Sequence, residues 1–334
     1  LRSALRREEE LMRRGILRDE DTGREYFTGY SYKTLYDWDQ YFEALVQIYM
    51  GWPSTYIKNG VTIFLDHQQE SGLISRSVPS NEWHDPEHVK PFLAQIALLV
   101  YRAYGELDWI TGEETFTRLQ RAIEYWRVNM DSNGNGLSEW MSAPHTGMDN
   151  QHERAGYWLD RFCEGVDLNC YLVREMRAFA RLAGLSGRAG LAEEYRQKAD
   201  ALAERIRAEM WDEEEGWFYD CNARAGEPLM SRHAGWASSL NASPERRIRV
   251  KSAASFAALW AGVALPEQAR RMITEHLFNP REFWTPYPAA TLARNERWYS
   301  RDWLPGDLGC NWRAHTWIPT NYMIYRGLRR YGYS

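Results

Sequence analysis

The sequence predicts an all-α domain, and three observations carry that prediction. Apolar residues recur at three-to-four spacing, no series of alternating strands is visible, and short turn clusters punctuate segments of ordinary helical length. The spacing is clearest in Leu93, Ala97, Val100 and Tyr104, in Phe116, Leu119, Ile123 and Trp126, and in Val166, Cys170, Val173, Met176, Ala180 and Ala183. The same pattern predicts helices over about 38–50, 54–68, 190–210, 250–261, 266–277 and 315–330. Turns fall at Asp131 to Gly136, Gly184 to Gly187 and Asp212 to Gly216. No linker or low-complexity stretch divides the 334 residues, so a single domain over 1–334 is expected. Helices in this number build a bundle, a solenoid or a toroid of inner and outer helices, and the lack of a repeat of constant period speaks against the solenoid. The toroid agrees with one further fact: aromatic and acidic clusters sit at helix entrances, at Tyr36 to Phe42, Trp83 and His84, Trp140 to Gln151, and Trp284 to Tyr287.

Composition narrows the function. A net charge of −5, with no Lys/Arg block interleaved with aromatics, argues against nucleic acid and anionic membranes as partners. No apolar run is long enough for a membrane span, and the Arg- and Glu-rich first 17 residues lack the apolar middle of a signal peptide, so a cytoplasmic location is expected. The four cysteines, Cys163, Cys170, Cys221 and Cys310, show neither CxxC nor zinc spacing and read as packed thiols, with no metal or other cofactor. Asp131 to Gly136 resembles half a calcium loop, but position twelve of that frame is Ser142 where a bidentate Glu is needed. Sixteen Trp and twenty Tyr outnumber eleven Phe, so most rings carry a polar handle. Such rings stack on sugar faces while their NH and OH groups meet hydroxyls, and they serve equally well in a large core.

The segment from Ser142 to Gln151 places one acid, Asp149, in a loop of small and hydrogen-bonding residues. Gly147 permits a tight turn, and Asn150 and Gln151 are placed to hold the carboxylate. Two acids flank Trp38 in Tyr36-Asp37-Trp38-Asp39, a pattern suited to binding hydroxyls beside a stacked indole and equally to capping a helix. Arg313, between Trp312 and Trp317, suits a hydroxyl or a carboxylate. Trp83, His84 and Gln95 belong to a further loop and helix with the chemistry to line a pocket.

Taken together these motifs resemble family 63 glycoside hydrolases and the wider clan that includes trehalases. Leu35 to Phe42 is similar to the family's Trp-Asp segment, and Thr146-Gly147-Met148-Asp149-Asn150-Gln151 to its Ser-Gly-Met-Asp-Asn acid loop. Val166-Asp167-Leu168-Asn169 resembles the Val-Asp-Leu-Asn helix, and Trp312-Arg313 through Trp317 the Trp-Arg-Gly-Pro-x-Trp segment, followed by the similar Asn321 to Leu328. The resemblance spans about 32–331. It implies an (α/α)6 toroid that hydrolyses an α-glycosidic bond with inversion, with Asp149 as general acid, protonated near neutral pH by a partly desolvated setting. Tyr36, Trp38, Asp39, Trp83, Gln95, Trp140, Gln151, Asp167, Trp312, Arg313 and Trp317 are the expected substrate contacts. The substrate implied is a short α-glucoside or α-mannoside, glucosyl- and mannosylglycerate among them, and a carboxylated aglycone would find Arg76, Arg154 or Arg313.

The sequence also departs from the family pattern. There the base is a Glu in a segment beyond the Trp-Arg-Gly-Pro helix, whereas here no Glu follows Glu296 and Ala314-His315 replaces Gly-Pro. A twelve-helix toroid takes about 400 residues at ordinary helix and loop lengths, so the final helices, and the base with them, are expected beyond Ser334. Glu139, Glu164, Asp167 and Glu282 are the stand-ins inside the chain. Two other readings remain open: a sugar 2-epimerase or isomerase on the same toroid, using His84, His145, His233 or His315 in pairs, and a carbohydrate-binding relative that has lost its base.

Overall fold

The computed structural model describes residues 2–29, 33–80, 86–156, 161–226, 245–302 and 310–333. Helices run in the order α1 (Arg2–Arg13), α2 (Asp37–Tyr49), α3 (Thr55–Asp66), α4 (Leu93–Tyr104), α5 (Asp108–Thr111), α6 (Glu113–Asn129), α7 (Ala143–Thr146), α8 (His152–Ala155), α9 (Val166–Leu185), α10 (Ala189–Met210), α11 (Ala257–Ala261), α12 (Pro266–Arg271) and α13 (Ile318–Arg330). The expected helices are present. Two depart in detail, each for a local reason. The 250–261 helix begins only at Ala253, because the Ser252 hydroxyl accepts the Ala254 N–H at 3.2 Å and caps a 3-10 turn that leads into α11. After α12 the helix widens to π geometry over Met272–Leu277. The spacing reading passed over α1, whose surface is largely exposed and whose apolar residues, Ala4, Leu5, Leu11 and Met12, are outnumbered by Arg and Glu. Strands are two or three residues long. The largest sheet is antiparallel, in the order Cys163–Glu164, Asp220–Asn222, Arg247–Ile248.

The chain forms two compact units, Leu1–Val128 with Arg174–Lys198, and Asn129–Val173 with Ala199–Ser334. The core of the first is aromatic where α6, α9 and α10 meet: Phe116 stacks on Phe179 at 4.6 Å between centroids, and Phe179 meets Tyr195 at 4.5 Å. At its other end Asp37 and Lys90 form a buried ion pair at 3.0 Å, and Asp37 also accepts the Lys90 and Trp38 N–H groups. A carboxylate so satisfied fixes the head of α2.

In the second unit α11 and α13 lie in close contact at Gly327. A Cβ there would stand 2.7 Å from Leu259 Cβ and 3.3 Å from the Trp260 nitrogen. Gly327→Ala is therefore expected to lower stability by about 1–2 kcal/mol, because overpacking outweighs the gain in helix propensity. A thermal melt decides it: an unchanged or higher Tm would mean that the helices are not this close.

Candidate active site

The acid loop is built by its own turn chemistry. Ser142 caps α7 by accepting the His145 N–H at 3.1 Å, and Gly147 ends the helix at a φ of 85°. The Thr146 hydroxyl donates to the Ala143 carbonyl at 2.7 Å and accepts the Met148 N–H at 2.9 Å. Within 145–151 every residue except Asp149 is buried. The turn thus delivers one carboxylate to the surface of an otherwise sealed loop.

Asn150 and Gln151 have a task that the sequence did not show. Asn150 Oδ1 accepts the Trp312 N–H at 2.8 Å, and Gln151 Nε2 donates to the carbonyls of Trp312, at 2.5 Å, and Thr291, at 3.1 Å. Gln151 Oε1 accepts the Ser252 hydroxyl at 2.7 Å, so this fully buried amide is spent on protein and not on the Asp149 carboxylate or a ligand. The result is a clasp between the acid loop and the tryptophan segment more than a hundred residues away. Cys310 belongs to the same clasp, with its Sγ 2.7 Å from Asp149 Oδ2.

On the clasped segment Trp312 and Trp317 stack with centroids 4.0 Å apart and planes 10° from parallel. Trp312 is buried beneath this stack, while Trp317 is partly exposed and donates its indole N–H to the Asn311 carbonyl at 2.8 Å. Of the two, Trp317 has the accessible ring. Asn311 Oδ1 caps the Arg313 and Ala314 N–H groups at 2.8 and 3.2 Å. Arg313 Nε lies 3.6 Å from Glu153 Oε2, an ion pair longer than a hydrogen bond. Burial pushes the Glu153 carboxyl up to about 7, against the pull of Arg313.

That shift has a testable sign. A carboxyl held above its unfolded value lends stability below pH ~4.5 that is lost as pH rises through about 7. Glutamine is neutral at every pH. Glu153→Gln is therefore expected to match the parent near pH ~5 and to exceed it by about 2–3 kcal/mol near pH ~8. Urea titrations at the two pH values read this difference, and a pH-independent offset would contradict it.

Trp140 and Asp167 belong to a fully buried network beside the acid loop, where Trp140 lies edge-on to His145. Trp140 donates its indole N–H to Asp167 Oδ1 at 2.9 Å, and the Arg154 guanidinium bonds Asp167 Oδ1 at 2.5 Å and pairs with Asp220. Gly165 is required here, since a Cβ would overlap both Trp140 Nε1 and Asp167 Oδ1. The expected substrate roles of Trp140 and Asp167, and of Arg154 toward a carboxylated aglycone, are corrected to core roles, because none of the three is exposed. The stand-in bases are likewise engaged by protein. Glu139 pairs with Arg161 at 2.6 Å and accepts the Ser132 hydroxyl, and Glu282 pairs with His276 at 2.6 Å and Lys251 at 3.2 Å. Glu164 accepts Asn133 and Asn135 at 2.7 and 2.8 Å and pairs with Arg246. Those amides come from the Asp131 to Gly136 turn, whose Asp131 accepts the Asn135 and Gly136 N–H groups, so the turn serves to satisfy a buried carboxylate. Cys163, Cys170 and Cys221 are buried thiols as expected, whereas Cys310 is partly exposed.

In the other unit Trp38 is buried, edge-on to Phe42 at 5.8 Å, with the Lys90 ammonium 5.7 Å from its ring centre. Tyr36 and Asp39 are partly exposed at the head of α2. Gln95 is buried, donates to the Pro91 carbonyl at 2.8 Å and accepts Arg174 Nε at 2.9 Å. Arg76 pairs with Glu87 at 2.7 Å. Trp83, His84 and His233 lie outside the described residues. His145 is buried edge-on to Trp140 at 5.0 Å, and His315 is exposed. The sequence reading missed Glu153, Asp220, Ser252 and Cys310. Glu153 adjoins the acid loop and was within reach of a search for acids beside Asp149, but nothing local singles out the others.

The fold has solved counterparts. A family 63 mannosylglycerate hydrolase from Thermus thermophilus, in complex with Tris, superposes with a TM-score of 0.74 at 16% identity over 98% of this chain and 88% of its own. Its glucose complex gives 0.71 at the same identity. Neutral trehalase from Saccharomyces cerevisiae gives 0.62 at 20% identity, over 95% of this chain and 67% of that one. Among curated relatives, cytosolic neutral trehalase of Kluyveromyces lactis is 29% identical over 141 residues, 42% of this chain and 16% of that protein. A probable trehalase of Eremothecium gossypii is 25% identical over 190 residues, 53% of this chain. The chain spans only 16% and 22% of the length of these two relatives. The fold is the (α/α)6 toroid of this clan, as the helical spacing and the motif order led us to expect. Residues 32–334 match the mannosylglycerate hydrolase MGH1-like glycoside hydrolase domain, and the chain belongs to that family of glycoside hydrolases.

Proposed function

We propose that the chain hydrolyses a short α-glucoside or α-mannoside with inversion, with Asp149 as the general acid. The observation that carries this reading is the clasp: a single partly exposed carboxylate, in a loop otherwise buried, is tied through Asn150 and Gln151 to the segment that bears Trp317 and Arg313. An accessible indole on the segment tied to the acid loop suits a sugar ring whose exocyclic oxygen is to be protonated. Asp149 gives its proton to the glycosidic oxygen as the bond to the anomeric carbon breaks. A water attacks that carbon from the opposite face and passes its proton to a second carboxylate, roughly 6.5–9.5 Å from the first. Trp317 is the platform; Arg313 is buried and paired with Glu153, so the substrate contact expected of it gives way to a tie between the tryptophan segment and α8.

The relatives guide the choice of substrate. The Thermus enzyme is a mannosylglycerate hydrolase solved with D-glycerate and with glucose, and the fungal relatives are trehalases. Mannosylglycerate, glucosylglycerate and trehalose are accordingly the first compounds to offer. Proton NMR during turnover should show the β-anomer of the released sugar before mutarotation. With either glycerate glycoside, first appearance of the α-anomer would rule out inversion; with trehalose, inversion releases one α- and one β-glucose and retention releases two α; and release of an epimer without hydrolysis would point to the isomerase chemistry instead.

A further inference from the structure

We propose that Cys310 is a positioning residue for Asp149, its thiol holding Oδ2 of the carboxyl so that Oδ1 carries the proton to the leaving oxygen. The inference rests on Asp149 being the acid and adds a part that the acid loop alone does not supply. The thiol sulfur stands 2.7 Å from Oδ2. Its place is set by the clasp, because Asn311 Nδ2 donates to the Ser300 carbonyl at 3.0 Å and the next N–H, of Trp312, is held by Asn150. Cys310 is therefore anchored by the bonds that its two following residues make. It is also partly exposed, unlike the three buried cysteines, and so shares the accessible side of the loop with Asp149.

The chemistry of a thiol fits this task. A protonated carboxyl has one carbonyl oxygen free to accept, and S–H is a weak, uncharged donor. It selects which oxygen is the carbonyl without ionising the acid, as an adjacent Lys or Arg would. When the proton leaves, the bond becomes charge-assisted and helps the carboxylate form. The other titratable and charged groups on the two clasped segments are His145, His152, Glu153, Arg154, Arg313 and His315, and a substitution at 310 leaves all of them in place.

Two measurements on the whole chain test the proposal. In the first, iodoacetamide labels Cys310 in the parent and in Asp149→Asn, and peptide mass spectrometry follows the rate. At a pH above the high-pH limb of the activity profile, where Asp149 is a carboxylate, removing that charge beside the thiol should speed labelling about tenfold, and equal rates there would overturn the contact whether or not the protein turns over sugar. In the second, pH profiles of hydrolysis compare the parent, Cys310→Ala and Cys310→Ser. Alanine should cost about 2–10-fold in kcat, leave KM within about twofold and move the high-pH limb upward. Serine, which keeps a donor, should restore the limb and most of kcat. A Cys310→Ala profile identical to the parent, with Asp149→Asn inactive, sinks this inference and spares the acid. An active Asp149→Asn variant sinks the acid itself.

Discussion

Asp149→Asn is expected to lower kcat by about 10²–10⁴-fold while leaving sugar binding within a few-fold of the parent. Asparagine keeps the shape and loses the transferable proton. Because Ser142, Thr146, Asn150 and Gln151 make the bonds that hold the loop and tie it to Trp312, the substitution keeps those bonds. A fall in kcat with KM and Tm unchanged would thus report chemistry alone. Substrates with good leaving groups need less protonation, so a nitrophenyl glycoside should lose much less than mannosylglycerate in the same variant. Equal losses on both would mean that Asp149 acts on binding or on the loop, and parental turnover would remove it from the mechanism.

Much of this arrangement was legible in the sequence, and the reasons differ by level. The helix from Val166 could be read because burial on one face leaves a periodic trace: Val166, Cys170, Val173 and Met176 are all fully buried. The acid loop could be read because its turn demands particular residues, and Gly147 takes the positive φ that its position suggested. The bonds of Asn150 and Gln151 to the Trp312 backbone could not be read, since that partner is more than 160 residues away and leaves no local signal. Aromatic composition misled in a related way. Trp140 and Trp312 have the chemistry of sugar platforms, yet burial decides whether a ring has a free face, and composition does not record burial. The exposed member of the pair, Trp317, emerges only when the stack is seen.

Arg154 bears the largest expected effect on stability. Its guanidinium, wholly buried, stands between the carboxylates of Asp167 and Asp220, which are 0% and 3% exposed at the side chain. Those carboxylates in turn hold the surrounding backbone. Asp220 Oδ1 accepts the Val166 N–H at 2.7 Å at the start of α9, and Asp167 Oδ1 accepts the Trp140 indole. Burial already raises the Asp220 carboxyl, with Arg154 pulling it down and Asp167 pushing it up. Arg154→Met would leave two buried carboxylates facing one another with no counter-charge, at a cost of about 3–5 kcal/mol. The argument predicts its own rescue. Adding Asp167→Asn and Asp220→Asn removes the repelling charges, so the triple variant should regain a substantial part of the loss, which a sum of independent effects would not allow. Urea denaturation of the parent, Arg154→Met, the Asp167→Asn/Asp220→Asn double variant and the triple variant measures the coupling. The same series separates this role from the one suggested by the sequence, in which Arg154 grips a carboxylated substrate: that role would raise KM for mannosylglycerate and leave the unfolding midpoint where it was.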